Sequence, residues 1–219
     1  MTNSNLNELA NDFFQNSLDS SPTSAIMRGH KKYFDQIEEL TEDQFQKEKE
    51  TVDNFIQRLN AIEKDNLTSR EQVTHGMLEF ALSSNQDSLL DRSWEFGAGV
   101  SGFTGFLIDY NQQMFVPDSE SADMMLKRLE LYKRLYTQIA EVQKEGLNNN
   151  RVATERNLLR TIDQLENYLA SSLDQDPLLL VNFSPEISGS EISEWKDKAK
   201  NIIEANIRPT VSAYLDQLK

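Results

Sequence analysis

The sequence predicts an all-α fold, an antiparallel helical bundle or array interrupted by one irregular glycine-rich loop. Three observations predict it. Apolar residues recur at spacings of three and four through the long segments, the pattern of a helix that buries one face. Residues suited to capping helix ends stand at the borders of those segments, and no alternating strand–helix pattern occurs anywhere. Half of the chain's 8 glycines fall in a single stretch, WEFGAGVSGFTGF from Trp94 to Phe106.

The first helix starts at Asn3 or Ser4 and turns Leu6, Leu9, Ala10, Phe13, Phe14 and Leu18 to one side. Ser21-Pro22 opens a short second helix, because proline fits the first helical turn without losing a needed N–H, and Gly29 supplies its left-handed stop. Thr41 with Gln44 reads as a capping box ahead of Phe45, Val52, Phe55, Ile56, Leu59 and Ile62. Thr68 with Glu71 repeats the device and starts a helix expected to turn Val73, Met77, Phe80 and Ala81 inward and to run on through Leu89 and Leu90.

After the glycine-rich stretch and Pro117, the acidic turn DSESAD leads into a long helix with Met125, Leu129, Tyr132, Leu135, Tyr136, Ile139 and Val142 inward and Gly146 as its stop. Val152, Leu158, Leu159, Ile162, Leu165 and Leu169 mark a returning partner, so residues 121 to 172 are expected to form an antiparallel pair. DPLLLVNFSP, bounded by Pro177 and Pro185, is expected to plug the core as an apolar loop, with a β-strand as the alternative. Ser190 is expected to cap the last helix, and Pro209 to kink it before Val211, Tyr214, Leu215 and Leu218. That stripe is still running at Lys219, which raises the expectation that more protein follows. The organisation expected is a single helical region 1–219: helices over 1–92, the glycine-rich loop over 93–118, the helical pair over 119–172, and an apolar loop with the kinked terminal helix over 173–219.

Composition narrows the function. A chain of 219 residues can bury a sizeable core. The absence of cysteine excludes disulfides, thiolate metal sites and cysteine nucleophiles. With 36 Asp and Glu against 22 Lys and Arg, the net charge of −14 repels phosphate backbones and anionic lipid, so neither nucleic acid nor membrane is an expected partner. The opening MTNSNLNELANDFF has no basic region followed by an apolar one, and a cytoplasmic location is expected.

Complete catalytic motifs are missing. Gly97, Gly99 and Gly102 satisfy GxGxxG literally, but no strand and helix flank them as a dinucleotide site requires. The two histidines, His30 and His75, lie outside any HExxH pattern. Glu71, His75 and Glu79 line successive turns of one helix, a row that reads more naturally as a solvated face than as a metal site. Ser101-Gly102 has no identifiable base to activate the hydroxyl.

The order of SSPTSAIMRG, YFDQIEELTEDQF, NAIEKDNLTSREQVTHGMLEF, SGFTG, RLELYKRLYTQIAEVQKEG and IRPTVSAYLDQL resembles the amino-terminal part of the bacterial domain-of-unknown-function 885 family, from about residue 6 to the end. The strongest pieces are Ser21 to Gly29, Arg128 to Gly146 and Pro209 to Leu218. The resemblance implies a part of a larger helical fold like that of zinc metallopeptidases, whose HExxH motif and zinc belong to a carboxy-terminal half. None of those ligands can be placed on this chain, so no cofactor is expected in it.

What the resemblance implies for residues 1–219 is a noncatalytic helical layer that packs on the catalytic half and forms one wall of a peptide-binding cleft. Trp94, Gly99, Ser101, Gly102 and Asn111 are then the substrate-cleft candidates, because glycine lets backbone N–H and C=O groups approach an extended peptide. Two alternatives stay open: a loop whose glycines only permit tight packing of Phe103 and Phe106, and a self-sufficient helical binding or scaffold protein with no catalytic activity.

Overall fold

The fold is all-α, with one short two-stranded sheet. A computed structural model describes residues 4–96 and 110–219. Contacts divide the chain into two compact units, the first made of residues 1–20 and 40–94 and the second of residues 21–39 and 95–219. Among the described residues no helix is long and apolar enough to cross a membrane.

The first unit is built from helices α1 (Ser4–Ser20), α3 (Glu42–Asn60) and α4 (Ser69–Asp91), all three packed on one another. Thr41 accepts the amide of Gln44 at 3.2 Å and so starts α3. At α4 the reciprocal box is complete: Thr68 Oγ accepts the Glu71 amide, while the Thr68 amide donates to Glu71 Oε2 at 2.9 Å. The core gathers Leu6, Leu9, Val52, Phe55, Leu59, Leu67, Leu78 and Leu82, with Phe13 set edge-on to Phe55.

On α4 the expected face is wrong. Glu71, His75, Leu78 and Leu82 are buried, whereas Val73, Met77 and Phe80 are 62%, 69% and 75% exposed. The helix carries apolar residues on opposite sides, so spacing alone cannot choose between them. Packing on α1 and α3 selects the side bearing Leu78 and Leu82. Phe14 of α1, also expected inside, is half exposed.

The second unit joins a distant segment to the rest. Helix α2 (Pro22–Met27) and the turn after it place Ala25, Ile26, Tyr33, Phe34 and Ile37 in the interior, and Gly29 takes φ +86 as the expected stop. Helix α5 (Ser119–Asn148) runs through the unit with Met125, Leu129, Tyr132, Leu135 and Tyr136 fully buried. Its cap is Asp118, which accepts the Ser121 amide at 2.9 Å.

Helix α6 (Glu155–Ala170) follows, but the expected α5–α6 pair scarcely packs directly and is bridged instead. Helix α8 (Arg208–Leu218) packs against both α5 and α6 and links them. Val211, Tyr214 and Leu215 are buried there, with Tyr214 donating to Gln143 at 2.8 Å. Three residues of the terminal stripe are thus covered inside this unit, and Leu218 is partly exposed.

Gly146 is not the stop either. It lies within α5, and Asn150, at φ 56, takes the left-handed position in the turn. Glycine is needed at 146 because a Cβ there would meet the Arg151 carbonyl oxygen at 2.6 Å and Glu95 Cβ at 3.0 Å.

Both readings of DPLLLVNFSP hold in part. Leu178 and Leu179 plug the core within a single 3-10 turn, and strand β2 (Asn182–Phe183) then pairs in parallel with β1 (Phe115–Val116), Phe115 opposite Asn182 and Val116 opposite Phe183. Helix α7 (Gly189–Ile202) is capped by Ser188, two residues earlier than expected, because only Ser188 has a glutamate three positions on, Glu191, to complete the box. Pro209 is met by a π-helical turn over Ile203–Ile207, which widens the backbone ahead of a residue that lacks its own N–H.

Candidate functional site

Of the five cleft candidates, Gly99, Ser101 and Gly102 lie outside the described residues. Trp94 belongs to the first unit and Asn111 to the second. Local geometry fixes the tryptophan firmly. Helix α4 ends on Arg92 in the left-handed conformation, φ 51, unusual for a residue other than glycine. The guanidinium grips both carboxylate oxygens of Glu42, at 3.0 and 2.7 Å, and lies over the Trp94 ring at 5.2 Å. On its other neighbour, Phe45, the indole stacks at 4.0 Å. Its Nε1 is buried with no hydrogen-bond partner among the described residues.

Asn111 is fully buried. Its amide nitrogen donates to the Leu178 carbonyl at 3.3 Å, and its Oδ1 has no partner among the described residues. The side chain, expected from sequence to line a cleft, ties the segment before β1 to the plug that precedes β2 and lies beneath the surface.

The Glu71, His75 and Glu79 row does not form a solvated face. Glu71 and His75 are buried, with Glu71 held by the cap, and Glu79 is exposed and paired with Lys64 at 3.0 Å. Among the described residues no three His, Asp or Glu side chains converge as a metal site would require. The donor set for zinc is therefore not assembled by these residues.

Sequence reasoning missed the polar interior of the second unit. Arg128, 0% exposed, donates to Thr23 Oγ1 at 2.5 Å and to the Gln36 carbonyl, while Glu38 accepts from the Thr23 amide at 3.0 Å and hydroxyl at 2.7 Å. Arg208 grips Asp176 at 3.0 and 3.1 Å, bonds the Ser171 carbonyl at 2.9 Å and lies over the Tyr168 ring. Arg151 pairs with buried Glu95. Burial pushes the phenols of Tyr132, Tyr136, Tyr168 and Tyr214 up, so all four are held protonated. No periodic signal announces these contacts, because an arginine in a long charged helix looks solvated until the partner segment is known.

A cavity of about 220 Å³ in the second unit was likewise unforeseen. Its apolar lining is Ala122, Leu126, Phe183, Ile187 and Trp195, with Phe183 edge-on to Trp195 at 5.1 Å, and Asp123, Glu191, Glu194 and Lys198 line it as well. Trp195 Nε1 donates to the Ala122 carbonyl at 2.8 Å, so its one donor is committed to the scaffold.

No curated protein and no solved structure matches the chain. Residues 22–219 match the family described as bacterial protein of unknown function, DUF885. The match starts where α2 starts, later than the resemblance from about residue 6, and spans most of the first unit and all of the second but Ser21. With nearly its full length covered, this all-α chain belongs to the DUF885 family.

Proposed function

We propose that this chain is the amino-terminal, noncatalytic helical part of a zinc metallopeptidase-like protein and forms one wall of a peptide-binding cleft. The observation that carries the reading is the fate of its buried acids. Among the described residues the buried carboxylates are Glu38, Glu71, Glu95 and Asp176. Each holds a structural partner: the Thr23 corner, the Thr68 cap, Arg151, and Arg208 with the Leu178 amide. A general base or metal ligand needs a lone pair aimed into a cleft, and these are aimed at the scaffold. On this reading zinc and its HExxH ligands reside in a carboxy-terminal half, which is the principal partner. The stretch that begins at Trp94 and includes Gly99, Ser101 and Gly102 lies along the peptide, and the protein acts in the cytoplasm.

The test is hydrolysis of a mixed fluorogenic peptide library, with zinc content measured on the same preparation. The chain alone is expected to be inactive and free of stoichiometric zinc, and to bind the HExxH-containing half of a family member in trans. Hydrolysis by the chain alone, with zinc lost in His75→Ala, overturns the reading. One observation favours the second reading, a self-sufficient helical binding or scaffold protein: Val211, Tyr214 and Leu215 are covered within their own unit. Failure of the HExxH half to bind selects it.

A further inference from the structure

Among the described residues, helix α4 is the one place where a well-formed element turns large apolar side chains outward in register. Val73, Met77 and Phe80 stand at i, i+4 and i+7, and at about 100° per residue they share one narrow face. The other residues on that face are small or polar, Ser69, Arg70, Gly76, Ser83, Ser84 and Ser88, with the one cation, Arg70, at its amino-terminal end and Asp87 and Asp91 at its carboxy-terminal end. All of them are exposed. Scattered exposed apolar residues are ordinary, but a contiguous stripe on a helix that already buries its opposite face marks an interface.

We infer that this face docks an amphipathic helix that carries leucine-like residues on one side and lysine or arginine at its flanks, supplied by another protein segment. The inference names the chemistry of a partner for the surface-supplying role above and rests on that reading. Shape supports a helix: Gly76 has open space where a Cβ would be, leaving a hollow beside Val73 and Met77 for a partner's side chain. Met77 can repack around it.

Charge selects the sign. The first unit holds 14 Asp and Glu against 6 Lys and Arg, and the negative end of the α4 dipole adds to Asp87 and Asp91. A second copy carries the same net negative charge and is repelled as a whole. An anionic lipid surface is disfavoured by the same field.

The test uses the full chain and a fluorescein-labelled synthetic helix of about 18 residues, leucine on one face and lysine elsewhere, followed by anisotropy at about 0.15 M salt. Saturable one-to-one binding is expected, weakened about tenfold or more by the double variant Met77→Ser, Phe80→Ser, and weakened also by Asp87→Asn with Asp91→Asn. Both variants change exposed residues, and an unaltered circular dichroism spectrum confirms that they fold. A leucine–glutamate peptide with the same apolar face is expected to bind far more weakly. Equal binding to the Met77, Phe80 variant overturns the proposal, because attraction is then only to net charge. Equal binding of the glutamate peptide overturns the charge selection. A wild-type dimer, or binding to phosphatidylserine vesicles, that the double variant abolishes assigns the face to a second copy or a membrane instead. The readout contains no hydrolysis, so a failed peptidase assay leaves this result standing and a failed docking assay leaves the peptidase reading standing.

Discussion

The two units are held together by different kinds of interior. In the first, the core is leucine, valine and phenylalanine from three helices, and the only buried polar or charged residues described are Glu71 and His75. In the second, Thr23, Glu38, Glu95, Asn111, Arg128 and Asp176 are all buried, and hydrogen bonds between them and their partners reach as far as 105 residues along the chain. An apolar core is tolerant, because neighbouring side chains can shift around a change of volume. A buried ionic network is not, because removing one member leaves its partner desolvated and unpaired. The second unit can therefore bring residues 21–39 onto α5 in one specific arrangement, whereas the first relies on local helix signals and apolar area.

The largest expected effect breaks that network. Arg128→Met leaves Glu38 buried with its arginine neighbour gone and should cost about 3–5 kcal/mol, seen as a lowered urea midpoint. Adding Glu38→Gln should recover part of the loss. If Arg128→Met melts no earlier than the parent, the contrast between the units fails.

In the first unit Leu82→Ala should cost about 2–5 kcal/mol through the cavity it leaves, at the lower end if α1 and α3 relax into it. Phe80→Ser, two residues away on the exposed side, should stay within about 0.5 kcal/mol of the parent. Thermal melts of the two variants decide which face of α4 is packed, and equal losses would show that both are.

Gly146→Ala separates two accounts of one glycine. Within a helix an alanine is worth about 1 kcal/mol over glycine if there is room. Here the Cβ would press on the Arg151 carbonyl, so a net loss of about 1–3 kcal/mol is expected from overpacking. A stabilised variant would show that the turn opens easily and that Glu95 and Arg151 are loosely held.

The smallest effect is at the surface of the second unit. Hydrogen bonds from Lys31 and then from Ser121 hold the Asp118 carboxyl down, from its ordinary 3.8 to about 2. A folded pKa below the unfolded one means that the contribution is complete above about pH 4 and is lost as pH falls through about 2. Asp118→Asn should keep the cap and remove that portion of the acid sensitivity, read from melting temperatures across this window. An unchanged pH profile would mean that the Lys31 pairing is not maintained in solution.

Much of the first unit was legible because its signals are local. Thr68-x-x-Glu71 sets a helix start by bonds within one turn, and Leu6, Leu9, Val52, Phe55 and Leu59 lie where spacing puts them. The face of α4 was not legible, since Val73–Met77–Phe80 and Leu78–Leu82 are equally good stripes. Of the candidate site, Trp94 could be picked out as an aromatic beside glycines, but its fastening by Arg92, Glu42 and Phe45 required knowing that α3 and α4 meet.

By itself the sequence determined the helix starts, the glycine stop at Gly29, the apolar content of each helix and membership in an all-α family, because caps, turns and 3.6-residue periodicity act over a few neighbouring residues. Tertiary structure alone decided which α4 face is buried, that α8 joins α5 to α6, that Gly146 is required by a close approach rather than by a turn, and that Arg128, Asp176 and Glu95 are interior. Those outcomes depend on which distant segment arrives at each surface. The free energy of burying a charge is set by that partner and not by the residue's neighbours in the chain.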